Sequence, residues 1–147
     1  LTTTGKWPVG ANGLTFDSAG NLYVCNFGDS VLWRAEFDPA GKVAAFKPFC
    51  DAKAAGIESL DGAQFDGQGY IWVADFIGNA IARISTGGGK AEIIAKNAPG
   101  DGKGGALDAP SECIRRGNKV YVSNIDLTFG PNTADEYQTM SVIDLDN

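Results

Sequence analysis

Asn12-Gly13 and Asp61-Gly62 stand 49 residues apart in the chain. A carboxamide and a carboxylate are hard oxygen donors, and brought together they suit Ca²⁺ or Mg²⁺, cations that take oxygen ligands. The same dipeptides are strong hairpin signals, because Gly takes positive φ freely after a residue that tolerates it. Metal ligands and turns are both open readings. A second signal bears on the choice. Asp17–Gly20 and Asp66–Gly69 already supply a reversal after each pair, and their Asp side chains suit hydrogen bonds to their own backbone.

Composition removes other chemistry. The chain has no histidine, which excludes His-containing triads, His metal sites and His general bases. Cys25, Cys50 and Cys113 show no CxxC spacing, so a zinc ribbon or thioredoxin-type centre is unsupported. Cys25 and Cys113 fall on strand-like runs and read as small buried apolar residues. A net charge of −6 gains nothing from a phosphate backbone, so nucleic acid is not an expected partner. The apolar runs are too short for a membrane-spanning helix. With 147 residues, 44% hydrophobic and 20% charged, the chain has the profile of one folded domain rather than a disordered segment. It starts at Leu1 without a signal-like stretch, as a processed or trimmed product would. The compartment is left open.

The elements that must position Asn12 and Asp61 come from a repeat. A shift of 49 residues lays Gly13 on Gly62, Phe16 on Phe65, Asp17 on Asp66, Gly20 on Gly69, Val24 on Val73, Phe27 on Phe76 and Arg34 on Arg83 without a gap. A further shift brings Trp72 onto Tyr121, Val73 onto Val122 and Asp75 onto Asn124, and puts Pro110 opposite Asp61. Each copy reads as short strands: 14–17, 22–27, 31–37 and 43–49 in the first, then 63–66, 70–76, 80–85 and 90–95 in the second. No stretch keeps helical periodicity. Four antiparallel strands at this period are the signature of a propeller blade. The sequence predicts an all-β partial propeller with blades at about 9–50, 58–97 and 107–147, residues 1–8 being open as the tail strand of a preceding blade. Three blades leave two apolar faces uncovered. Either the chain is about half of a larger propeller, or two copies close one ring.

Strand alternation then puts Asn12, Asp61, Asn26–Ser30, Asp75–Asn79 and the long segment 125–139 on one face, with Asn12 and Asp61 at the channel mouth. The long segment is either a lid or an excursion of no consequence. Trp33, Trp72 and Tyr121 read as packing between blades, and Arg34 and Arg83 as solvated or bridging blade edges. Asp17 and Asp66 read as structural.

These segments resemble a known family. The runs from Asn12 (NGLTFDSAGNLYV), from Ser59 (SLDGAQFDGQGYIWVADFIGNAIARI) and from Pro110 (PSECIRRGNKVYVSN) are similar to the C-terminal half of senescence marker protein/gluconolactonase/luciferin-regenerating-enzyme propellers, and to diisopropyl fluorophosphatase in the same superfamily. The resemblance implies a six-bladed ring with a divalent cation in the channel, usually Ca²⁺, with Mg²⁺ or Zn²⁺ as alternatives. It implies Asn12 and Asp61 as metal ligands and Asp61 as base or nucleophile in the opening of a lactone or a similar ester or phosphotriester. The family's other ligands, a Glu and an Asn, come from an N-terminal half that this sequence lacks, so the missing half or a second copy is an implied partner. The rival reading is a non-catalytic propeller of the NHL kind, a ligand- or protein-binding scaffold whose repeats also read Gly-x-x-x-Asp-x-x-Gly-Asn-Leu-Tyr-Val.

Overall fold

The computed structural model describes every residue except Asp126, Glu136 and Asn147. Among the described residues, runs rich in β-branched and aromatic residues form eleven strands, as their packing preference on a pleated surface dictates. β1 (Ala11–Phe16), β2 (Leu22–Asn26), β3 (Val31–Phe37) and β4 (Val43–Asp51) make one antiparallel sheet in chain order. β5 (Ala63–Phe65), β6 (Tyr70–Asp75), β7 (Ala80–Ser85) and β8 (Ala91–Lys96) make a second. β9 (Pro110–Arg116), β10 (Lys119–Asn124) and β11 (Met140–Asp144) make a third, without a fourth strand among the described residues. No helix of the described residues is long and apolar enough to cross a membrane.

The turn between the first two strands is built as the sequence indicates. Asp17 Oδ1 accepts from the backbone N–H of Ala19 and Asn21, each at 2.9 Å, and Gly20 takes φ +83°, a conformation that costs glycine little. Asp66 repeats the device, accepting from the Gln68 and Tyr70 N–H groups at 2.7 and 3.1 Å.

The sheets stack face to face as blades do. β6 is buried from Ile71 to Asp75, because its alternating side chains serve two interfaces. Ile71 and Val73 join Tyr23, Cys25, Leu32 and Leu60 of the first seam, while Trp72 and Ala74 join Cys113, Val120 and Val122 of the second. Burying each large apolar side chain contributes about 1.5–3 kcal/mol. The outer sheets have no such neighbour on their far sides. Leu14, Phe16, Val43 and Phe46 are exposed on the first sheet, and Ile114, Tyr121, Met140 and Val142 on the third.

Several expectations need correction. Trp33 packs on Phe46 of its own sheet, ring centroids 5.1 Å apart, rather than between blades. Tyr121, one repeat beyond the buried Trp72, is exposed because no sheet lies over it. Arg34 pairs with Glu36, two residues along the same face of β3, and Arg83 with its cross-strand neighbour Glu92. The arginine that bridges blades is Arg115, whose Nη1 donates to Asp66 Oδ2 at 2.9 Å and to Gln68 Oε1 at 2.7 Å. Residues 1–8 form no strand; Thr3 and Thr4 instead bind the Asp29 carboxylate. All three cysteines are free and buried.

Candidate functional site

The Asn-Gly and Asp-Gly pairs are not turns. Asn12 and Gly13 lie inside β1, and neither Gly13 nor Gly62 has positive φ. Both glycines mark close approach of neighbouring strands. Gly13 donates its N–H to the Asp61 carbonyl at 3.0 Å, and Gly62 donates to the Ser111 carbonyl at 2.9 Å. A Cβ on Gly13 would fall on the Asp61 carbonyl oxygen. The first strands of successive blades converge there, and only glycine lets the backbones meet.

The β1–β2 ladder slips register between Ala11 and Leu14, and the β9–β10 ladder slips beside Asn124. Such irregularities re-aim side chains next to sites. They also correct the ungapped alignment of the third copy. Ala63 pairs with Val73, and Cys113 pairs with Val122. The β9–β10 turn is therefore one residue shorter than β5–β6, Ser111 rather than Pro110 stands at the Asp61 position, and Glu112 stands at the Gly62 position.

Asn12 and Asp61 come together. The Asn12 amide lies close enough to the Asp61 carboxylate to favour its charged form, and both line a cavity of about 300 Å³. Its remaining lining is apolar: Val9, Phe27, Phe76, Ile125, Leu127 and Phe129. Burial among these groups raises the Asp61 carboxyl, and the nearby Glu112 carboxylate raises it further. The nearby Asn12 amide opposes both, and the value stands at about 7. Glu112 is exposed as a residue, yet desolvation lifts its carboxyl too, against a hydrogen bond from the Cys113 N–H at 2.9 Å. Burial, with the fields of Asp61 and Glu112, pushes the Cys25 thiol up; burial, with Glu112 and Cys25, raises Cys113. Both stay protonated and unreactive.

The face assignment holds around this cavity. Phe27 and Phe76, equivalent by the repeat, sit 6.0 Å apart, and Phe129 of the long segment packs on them at 6.0 and 6.1 Å. Trp7 backs Phe129 at 5.4 Å, and Asn132 Nδ2 donates to the Phe76 carbonyl at 3.1 Å. The described part of the segment thus walls the cavity; Asp126 and Glu136 lie outside the described residues. Asp75 does not face it. Its buried carboxylate accepts from the backbone of Glu58, Ser59 and Gly78 and from the Ser59 hydroxyl, at 2.8 to 2.9 Å, and holds the entry to the second blade.

Glu112 is the residue that sequence reasoning missed. Its signal was available only through strand pairing, because the shortened hairpin moves it out of the ungapped repeat. Among the described residues no group of three His, Cys, Asp or Glu side chains is arranged to hold a metal; Asn12, Asp61 and Glu112 offer an amide and two carboxylates.

Residues 7–99 match the family described as SMP-30/Gluconolactonase/LRE-like region. No curated protein sequence matches the chain. Among solved structures, a luciferin-regenerating enzyme aligns with TM-score 0.66 and 20% identity over 89% of this chain and 43% of its own. A calcium-binding protein, regucalcin from Agrobacterium tumefaciens, aligns with TM-score 0.57 and 23% identity over 79% and 38%. A streptogramin B lyase aligns with TM-score 0.60 and 17% identity over 94% and 41%. The chain spans less than half the length of each, and at these identities the likeness carries the propeller fold alone.

Proposed function

Because this chain belongs to the SMP-30/gluconolactonase/LRE-like family, we propose that it is part of a propeller hydrolase that opens a lactone, or a similar ester or phosphotriester, at a divalent cation held by Asn12 and Asp61. The single observation that carries this reading is the Asn12–Asp61 contact in an otherwise apolar cavity. The donor set fits a hard cation. With oxygen ligands and neither imidazole nor exposed thiolate at hand, Ca²⁺ is favoured over Zn²⁺. The calcium binding stated for regucalcin supports the same choice. When bound, the cation supplies Lewis-acid polarisation of the substrate's carbonyl or phosphoryl oxygen.

Asp61 has two roles open to it. The Asp61 carboxylate can accept a proton from an attacking water as general base, or attack directly in the nucleophilic variant. The neighbouring Asn12 amide favours the charged form of that carboxylate. Phe27, Phe76, Phe129 and Leu127 exclude water from the Asp61 side and seat the apolar part of a substrate. A lactone carrying a hydrocarbon substituent suits these walls better than a polyhydroxylated one.

The uncovered outer faces support closure by further blades or by a second copy of the chain. Tyr121 is 39% exposed where Trp72, one repeat earlier, is fully buried by the next sheet. The test of function is lactone hydrolysis by the assembled protein before and after chelation. Activity lost on chelation and in Asp61→Asn supports the reading. Activity indifferent to both overturns it, and binding of a protein partner without turnover favours the scaffold.

A further inference from the structure

The cation site proposed above receives side chains from two blades, and Glu112 of the third, which lines an adjoining cavity, lies close enough to act electrostatically on Asp61. We propose that Glu112 is a third side-chain ligand of that cation. The inference rests on the Asn12–Asp61 reading and extends it to a residue outside the ungapped repeat. β1, the segment leading into β5, and β9 each bring one oxygen-bearing side chain to the convergence marked by Gly13 and Gly62. Glu112 follows Ser111, whose carbonyl accepts from Gly62.

The geometry is specific. The Glu112 Cδ and Oε1 atoms each lie 2.5 Å from where a Cβ on Gly62 would stand. The carboxyl group therefore occupies the notch that the missing side chain of Gly62 leaves, next to Asp61. Alanine at position 62 would fill that cradle. Among the described residues no lysine or arginine forms an ion pair with Asp61 or Glu112, so neither carboxylate has a protein cation to neutralise it. Ca²⁺ takes six to eight oxygens and accepts carboxylates singly or in pairs. Two carboxylates and one amide oxygen approach that number with few waters and balance the ionic charge. Within this chain Asn12 and Asp61 alone supply two side chains, and Glu112 adds a third beside any ligands brought by the rest of the ring.

The test is calcium binding by the assembled protein, read by titration calorimetry, together with Eu³⁺ luminescence lifetimes in H₂O and D₂O, which count the waters on the bound ion. Glu112→Gln is expected to weaken Ca²⁺ binding about tenfold or more, the loss of one charged contact, and to add at least one water to bound Eu³⁺. Asp61→Asn is expected to abolish binding. Abolition by Asp61→Asn with Glu112→Gln unchanged in affinity, or unchanged in water count, overturns the assignment of Glu112 and leaves the Asn12–Asp61 site standing. Wild-type protein that binds no Ca²⁺ overturns both. Equal melting temperatures of wild type and Glu112→Gln in chelator establish that the variant folds. If it does not, Glu112→Asp carries the same reading, reduced affinity supporting the proposal and unchanged affinity overturning it.

Discussion

The Asn12 amide faces the Asp61 carboxylate across the seam between the first two sheets, in one cavity. Two residues a full repeat apart thus become one site, and the charge state of that site is tied to the packing of the blades. The consequences are measurable in stability as well as in activity.

Asp61 makes stability fall as pH rises. Its carboxyl stands at about 7 in the folded chain against an ordinary 3.8. Below 3.8 both states are protonated and the group is neutral to stability. Between the two values the unfolded chain ionises first, so the folded state loses ground until pH passes about 7. In chelator, Asp61→Asn is expected to be more stable than wild type at pH 8 by about 1–2 kcal/mol, a figure discounted for solvent at the cavity mouth. At pH 4 the two should match. Urea melts at both pH values check this, and a variant weaker at pH 8 would contradict it.

Gly13→Ala is expected to destabilise by about 1–3 kcal/mol, the range for overpacking. The new Cβ would meet the Asp61 carbonyl and the Ala63 nitrogen and force the seam apart. Gly20→Ala meets open space at φ +83°, so its cost is conformational, about 1 kcal/mol. Thermal melts of the pair should separate packing from backbone strain.

Asp66 joins two blades at the opposite end of the same strands. Burial would raise its carboxyl, but hydrogen bonds from Trp72, the Gln68 and Tyr70 backbone and Arg115 outweigh burial and hold it low. The stability it provides is present above the ordinary carboxylate range and is lost as pH falls through its folded value. Arg115→Met is expected to cost about 1–3 kcal/mol at pH 7 and less at pH 3. A cost independent of pH would show that the ion pair is not its source.

Much of this architecture was legible in residue order. The runs 31–37 and 80–85 are strands with those bounds, because β-branched and aromatic residues there lie between turn signals. Asp17 and Asp66 behave as their spacing indicates. The meaning of Asn12-Gly13 was not legible, since a glycine required by a neighbouring backbone looks the same in sequence as one required by a turn. Glu112 was hidden for a different reason. A hairpin one residue shorter displaces β9 against the repeat, and only strand pairing reveals it. Phe129 comes from a segment without counterpart in the other copies, so its packing against Phe27 and Phe76 had no periodic signal.

The exposed faces set an expectation for assembly. If a second copy closes the ring, the mass in solution by light scattering should be twice that of the chain, and Tyr121→Asp with Val142→Asp should return it to one. A monomer with soluble, stable behaviour at high concentration would contradict closure by a second copy.

The calcium dependence of the thermal melt bears most directly on the cation site. Millimolar Ca²⁺ at about 100 times its dissociation constant would stabilise the folded chain by about 2.7 kcal/mol, raising the melting temperature by roughly 5–10 °C for a domain of this size. The shift should be present in wild type and absent in Asp61→Ala. A wild-type melt unmoved by millimolar Ca²⁺, or a shift that survives Asp61→Ala, would contradict a cation held between these two blades.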